Sequence, residues 1–317
     1  MGSDPGAATA QRIVSLLPSA TEIVCALGLG ERLVGISHSC DYPAEVTAKP
    51  RLSRPHSEFA GLSSAGIDAA VRRALRDHGS VYEIDVAGVA ALAPDLVLTQ
   101  GICDVCAVPA QQAVAALSGL PSPPRVLMLD AHDLAAIVAG IRDVGRAAGA
   151  GQRADACVVG IEDRIAVVQE RVAGQPPPRP RVLVLEWLDP PYVPGHWVPE
   201  LVALAGGDLV AGVARRPSAR VAWDDLRSSD PDVLLLMPCG FGLEETRRES
   251  DRYRDVLRDV AGRAIAAGRA YAVDASAYFS RSGPRVVDGV EILAALLHPE
   301  RFPEVSVQGR AAIFPGR

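Results

Sequence analysis

Ala93-Pro94-Asp95-Leu96-Val97-Leu98 has a counterpart in the second half of the chain, Asp230-Pro231-Asp232-Val233-Leu234-Leu235. In each copy proline blocks continuation of a helix and pushes the residue before it out of helical geometry. An apolar run, read as a buried strand, then begins. Working outward, further short apolar runs read as strands: Arg12–Leu16, Leu33–Ser37, Leu96–Thr99 and Val126–Leu129 in the first half, and Arg181–Glu186, Val233–Met237 and Ala270–Val273 in the second. Runs this apolar suit parallel strands covered on two faces. Helical patterns lie between them. Ser19-Ala20-Thr21-Glu22 reads as a capping box opening a helix that closes at Gly28, and Pro284 opens another with Val286, Val290, Leu293 and Leu297 at helical spacing. Alternating strands and helices predict an α/β fold with parallel sheets, and the echo predicts two similar lobes.

Between the halves, Gln152 to Val172 reads as one helix, roughly 30 Å long at the α-helical rise. Gly174 ends it, and Pro176-Pro177-Pro178 forces an extended segment. The expected organisation is a disordered segment over 1–11, an α/β lobe over 12–150, a connecting helix over 151–175, a second lobe over 176–298 and a tail over 299–317. A chain of 317 residues suits two domains of roughly 150 each. With 49% hydrophobic and 22% charged residues, it has material for two cores.

A formal net charge of -6 gives no electrostatic support for nucleic-acid binding. No apolar run reaches the roughly 18 residues of a membrane span, so no membrane insertion is expected. The residues ahead of Ile13 lack the basic start and apolar middle of a secretory leader. The cytoplasm is therefore expected, with the periplasm or cell exterior as the alternative had a leader been removed. Six cysteines in a chain of this length do not read as a disulfide framework, and reduced thiols in a monomer are expected.

Ligands of open α/β sheets bind beyond the carboxyl ends of the strands. The segments there are Leu17 to Glu22, His38 to Pro43, Gln100 to Cys106, Trp187 to Tyr192 and Gly195-His196-Trp197, with Trp223 and Tyr278 to Arg281 later. All three tryptophans fall in or beside them, as for stacking on a flat ligand. Glu186 reads as a ligand acceptor or an acid-base group, or as a structural carboxylate. Glu22 is explained by its capping box. There is no G-x-S-x-G, H-E-x-x-H or P-loop, and Gly28-Leu29-Gly30 follows a helix, so no catalytic signature is present.

Arg12 to Gly28, Val34-Gly35-Ile36-Ser37 leading to Asp41-Tyr42-Pro43, Pro94-Asp95-Leu96-Val97, Asp189-Pro190-Pro191-Tyr192 and Ser282-Gly283-Pro284-Arg285 occur in order. This set resembles the periplasmic-binding-protein-like family of cobalamin and iron-siderophore substrate-binding proteins. The resemblance implies two Rossmann-like lobes with parallel central sheets, one long rigid inter-lobe helix and a ligand cleft between the lobes. It implies a non-catalytic protein binding a small molecule, a corrinoid such as cobalamin or a related metal chelate or tetrapyrrole. By motif position, Tyr192, Trp223, Phe279 and Arg281 match corrin contacts. Ser39 and Gln100 stand where the cobalamin binder has aromatics. Tyr42, Glu186, Trp187, His196 and Trp197 complete the expected ligand-binding set. Transport members dock on an ABC permease through an acid on each lobe. Asp224 lies near the second-lobe position, but Ala87 occupies the first-lobe one, so permease docking is not expected.

A second reading, from a different class, is a metal-binding protein or metalloenzyme on the same scaffold. Cys103-x-x-Cys106 is half of a zinc set, and His38 and Cys40 on a neighbouring strand end would complete a tetrahedron for zinc or iron. The same cysteines also read as small buried hydrophobes. A third is an ABC-importer substrate-binding protein whose leader was removed.

Overall fold

Asp95 explains why the Pro-Asp echo exists. In the structure, a computed structural model that describes residues 9–101, 110–174 and 178–315, its carboxylate accepts from the backbone amides of Gln11 (2.8 Å) and Arg12 (3.1 Å), at the start of strand β1 (Ile13–Ser15). Asp232 does the same in the second half, accepting from the Arg181 amide (2.7 Å) at the start of β7 (Arg181–Leu185). The residues before the two prolines share a left-handed backbone, φ 42° at Ala93 and 36° at Asp230. The echo is thus one device used twice. A left-handed residue ends the preceding turn, proline stops it, and aspartate anchors the neighbouring strand.

The chain divides into two compact units. One is built from described residues of Met1–Ala60, Ala69–Ala131 and Ala135–Gly160, the other from those of Gly61–Asp68, His132–Leu134 and Ile161–Arg317.

Unit 1 centres on a four-stranded sheet, order β2-β1-β5-β6, with β2 at Leu33–Ile36, β5 at Leu96–Gln100 and β6 at Arg125–Leu129. Its pairings are all parallel, as their apolar sequences require. An antiparallel pair, β3 (Ser53–Pro55) and β4 (Tyr82–Ile84), forms a second small sheet whose Tyr82 and Ile84 pack against the core. Helices α1 (Pro18–Ala26), α2 (Ser64–His78), α3 (Val86–Leu92), α4 (Ala110–Leu117) and α5 (Leu134–Ala147) connect the strands, α2 drawing its first residues from unit 2. Val14, Leu16, Val97, Ala113 and Leu117 form the buried core on one face.

The expected capping box does not form. Helix α1 starts at Pro18 in the N1 position, with Leu17 as N-cap and no side-chain cap. Ser19 and Glu22 therefore lie inside the helix and are buried. Proline supplied the start signal, and the Ser-x-x-Glu spacing was coincidental. Gly28 closes the helix in the left-handed region, φ 64°.

Helix α6 (Gly151–Ala173) is continuous. Its residues up to Gly160 belong to unit 1, where Arg153 donates to the Gly28 carbonyl (3.2 Å). From Ile161 they belong to unit 2, where Arg164 pairs with Asp288 and Glu291.

Unit 2 is built on a five-stranded sheet, β10-β7-β12-β13-β14, with β10 at Asp208–Leu209, β12 at Val233–Leu236, β13 at Ala270–Val273 and β14 at Ala311–Ile313. The first four strands are parallel and β14 is antiparallel. Within the expected tail, Phe314 joins the core of Leu183, Leu185, Leu234, Leu236 and Leu257. A small antiparallel sheet, β11-β9-β8, comprises β8 (Trp187–Leu188), β9 (Pro191–Val193) and β11 (Ala219–Arg220). The helices of this unit are α7 (Val198–Leu204), α8 (Trp223–Leu226), α9 (Leu243–Arg252), α10 (Arg254–Ala266), α11 (Ala275–Tyr278) and α12 (Val286–Leu297). Among the described residues no helix is long and apolar enough to cross a membrane.

Candidate functional site

The small sheet of unit 2 has two unlike faces. Leu188 and Val193 point into the core. On the other face Trp187 stands opposite Tyr192, and Tyr192 opposite Arg220. Directly opposed residues of antiparallel strands share a face, so these three side chains form a row. Trp187 and Tyr192 are half-buried and Arg220 is exposed. Phe241 meets the Trp187 ring edge-on at 5.2 Å, and the indole N–H donates to the Ser64 carbonyl (3.2 Å). Two rings, that of Trp187 fixed by these contacts, followed by a guanidinium can stack on a flat ligand and hold its polar edge.

Glu186 precedes this row, immediately after β7. Its amide donates to the Tyr192 carbonyl (2.9 Å), and its own carbonyl accepts from the Cys239 amide (2.9 Å). Its carboxylate accepts from Ser218 Oγ (2.5 Å) and from the Gly195 amide. Burial pushes its pKa up to about 7, against the partial relief of those two hydrogen bonds. His196, left-handed at φ 50°, turns the chain so that its amide and carbonyl bond the backbone of Arg216 (2.7 Å) and Arg215 (2.9 Å). Its ring lies 5.7 Å from that of His132, and Arg215 pairs with Asp133 (2.8 Å). Beside the row, Asp189, Pro190, Pro191, Arg220, Val221, Ala222, Trp223 and Asp225 line a groove of about 560 Å³. Trp223 is half-buried at the start of α8 and packs partly on the core.

The remaining expected contacts distribute differently. Trp197 and Phe279, expected at the ligand, pack against each other within unit 2. Trp197 is buried and donates its indole N–H to the Phe279 carbonyl (2.9 Å), while Phe279 is buried against the bare Cα of Gly289. Arg281 is nearly buried and donates to Ser276 Oγ (3.2 Å). In unit 1, Tyr42 is exposed, Gln100 is buried at the end of β5, and Ser39 Oγ lies 3.2 Å from Ser37 Oγ.

The four expected metal ligands do not come together among the described residues. Cys103 and Cys106 lie outside them. Cys40 is fully buried, its sulfur 3.1 Å from Thr21 Oγ1 and 3.2 Å from Ser37 Oγ. His38 Nδ1 lies 3.0 Å from Ser53 Oγ and its ring 4.8 Å from that of Tyr82. Burial, followed by the nearby Arg51, lowers its pKa. No group of three or more His, Cys, Asp or Glu able to hold a metal occurs among the described residues. Desolvation drives the Cys25 thiol up to about 11 and raises Cys157, while Cys239 is exposed. Ser218 was not anticipated, because its role depends on the 215–218 segment pairing with the turn at Gly195 and His196.

The profile of the periplasmic binding protein family matches residues 13–276. An uncharacterised ABC transporter substrate-binding lipoprotein of Bacillus subtilis is 25% identical over 301 residues, covering 93% of this chain and 82% of the relative. Among solved structures, a periplasmic heme binding protein from Pseudomonas aeruginosa superposes with a TM-score of 0.69 at 22% identity, covering 92% of this chain and 93% of that one. A periplasmic vitamin B12 binding protein of Vibrio cholerae superposes with a TM-score of 0.66 at 20% identity, covering 91% and 96%. At these identities the two structures speak for the fold.

Proposed function

Because this chain belongs to the periplasmic binding protein family, we propose that it reversibly binds a flat metal-chelate ligand, a corrinoid of the cobalamin kind or a related tetrapyrrole, against the Trp187–Tyr192–Arg220 face of unit 2. The observation that carries the reading is that row, two rings and a guanidinium in register on one face of a sheet whose other face is core. Glu186, Ser218 and Gly195 add hydrogen-bonding groups for polar recognition. The vitamin B12 and heme ligands named for the two structural relatives agree with a flat chelate.

Delivery of the ligand to an ABC permease is the companion reading, favoured by the lipoprotein relative and by the highly exposed Asp224 on α8. Co-purification with a permease, and fractionation into membrane or cytoplasmic pools, separates import from intracellular ligand handling.

Titration with cobalamin, cobinamide and haem, following tryptophan fluorescence, tests the binding reading. Saturable quenching by at least one of them is expected, because Trp187 lies in the row. Flat titrations with all three to tens of micromolar, a range that would still detect binding worth about 6 kcal/mol, would sink it.

A further inference from the structure

Glu186 is held with unusual care for a residue outside regular structure. Hydrogen bonds on its own amide and carbonyl tie it to Tyr192 and Cys239, so its position is set by the ends of strands. Gly195 tolerates no side chain, since a Cβ there would lie 2.2 Å from the Arg216 carbonyl oxygen and 2.4 Å from the Ser218 nitrogen. The close approach brings the Gly195 amide and the Ser218 hydroxyl to one carboxylate. These two donors are neutral. The charged groups nearby are engaged elsewhere or exposed: Arg215 pairs with Asp133, Arg281 donates to Ser276, Asp189 accepts from Tyr253, and Arg216 and Arg220 are exposed. His196 packs its ring toward His132. Among the described residues none forms an ion pair with Glu186.

A desolvated carboxylate without a cation favours any partner that brings a proton or a donor to it. A carboxylate offers roughly four lone-pair positions, and two are used here. We propose that Glu186, positioned by Ser218 and Gly195, selects ligands whose rim donates hydrogen bonds, such as the side-chain amides of a corrinoid, over ligands whose rim carries ionised carboxylates, such as the propionates of a haem. This rests on the reading that the adjoining face binds the ligand. An amide N–H fills an open lone pair, whereas a propionate places like charge beside it. Discrimination of this kind works by repelling the wrong ligand as much as by holding the right one.

The test is to titrate wild type, Glu186→Gln and Ser218→Ala with cyanocobalamin and with haem at pH 6 and pH 8, with circular dichroism as the check on folding. At pH 8 the wild type should prefer cyanocobalamin. In Glu186→Gln that preference should fall about tenfold, largely through tighter haem binding, the scale of one removed charge contact. The wild-type preference should fall in the same direction from pH 8 to pH 6 as the carboxyl gains its proton, while that of Glu186→Gln stays level. Ser218→Ala, which removes a donor to the ionised form, should shift the pH midpoint upward, and this readout survives if Glu186→Gln fails to fold. A wild type that binds neither ligand overturns the binding reading itself. A wild type that prefers haem, or that binds cyanocobalamin with a preference independent of pH and unchanged in the variants, overturns the role of Glu186 alone.

Discussion

Replacing Glu186 by glutamine should make the protein more stable at pH 8 and slightly less stable near pH 4.5. In the native state the carboxyl titrates at about 7 against an ordinary value of 4.5, because burial outweighs the hydrogen bonds from Ser218 and Gly195. The folded state therefore binds more protons than the unfolded one between those values, and stability falls as pH rises through that window. At about 1.4 kcal/mol per pH unit, ionisation costs the fold about 3 kcal/mol at pH 8. The residue keeps some exposure, and the glutamine amide places one N–H where an acceptor stood, a loss of about 1 kcal/mol. A net gain of about 2 kcal/mol corresponds to a rise in Tm of roughly 3 °C for a chain of this size. Thermal melts of wild type and Glu186→Gln from pH 4.5 to pH 8 measure it directly. The gap between the two curves should open with rising pH. A constant gap, or a variant less stable than wild type at pH 8, would refute the claim that Glu186 is an uncompensated buried carboxylate.

Asp232→Ala removes the anchor of the Arg181 amide and the partner of Arg263 (2.6 Å), and should cost about 2 kcal/mol in a denaturant melt. Because the Arg181 amide and Arg263 hold this carboxyl below its ordinary range despite some burial, its contribution should fade as the wild type is acidified. Cys239, exposed beyond β12 and bonded through its amide to Glu186, should react with a maleimide ahead of Cys25, Cys40 and Cys157 in the folded protein, and ligand should slow it. Peptide mapping after partial labelling reads the order. Trp197→Phe loses the bond to the Phe279 carbonyl, and should lower stability by about 1 kcal/mol while ligand affinity stays within about twofold.

The fold was legible because parallel strands buried on two faces leave long apolar runs. Leu96 to Thr99, Val233 to Met237 and Ala270 to Val273 needed no tertiary information, and the Pro-Asp echo pointed to a device that the backbone then revealed. Local signals misled where two of them overlapped. Ser19 was read as the helix start, but the rigid φ of Pro18 set it earlier, which put Glu22 inside the helix as a buried residue.

Part of the candidate site's arrangement was legible. Trp187 and Tyr192 were singled out because aromatics beyond strand ends have no core of their own to fill, and the structure places them opposite each other in the small sheet. Trp197 and Phe279 carry the same signal yet found a core in each other, a pairing across 82 positions that no local pattern records. Glu186 was noticed for ending a strand. What makes it chemically distinct, the Ser218 hydroxyl and the bare Cα of Gly195, depends on two segments meeting in space.

The central claim is that the Trp187–Tyr192–Arg220 face holds the ligand, and isothermal titration of wild type and Tyr192→Ala with cobalamin tests it most directly. An aromatic ring contributes roughly 150–250 Å² of contact, which at about 25 cal/mol per Å² amounts to a few kcal/mol. The account predicts one-to-one binding by the wild type, weakened by one to two orders of magnitude in Tyr192→Ala but unchanged in Arg248→Ala on the exposed side of α9. Equal affinities for wild type and Tyr192→Ala would contradict it.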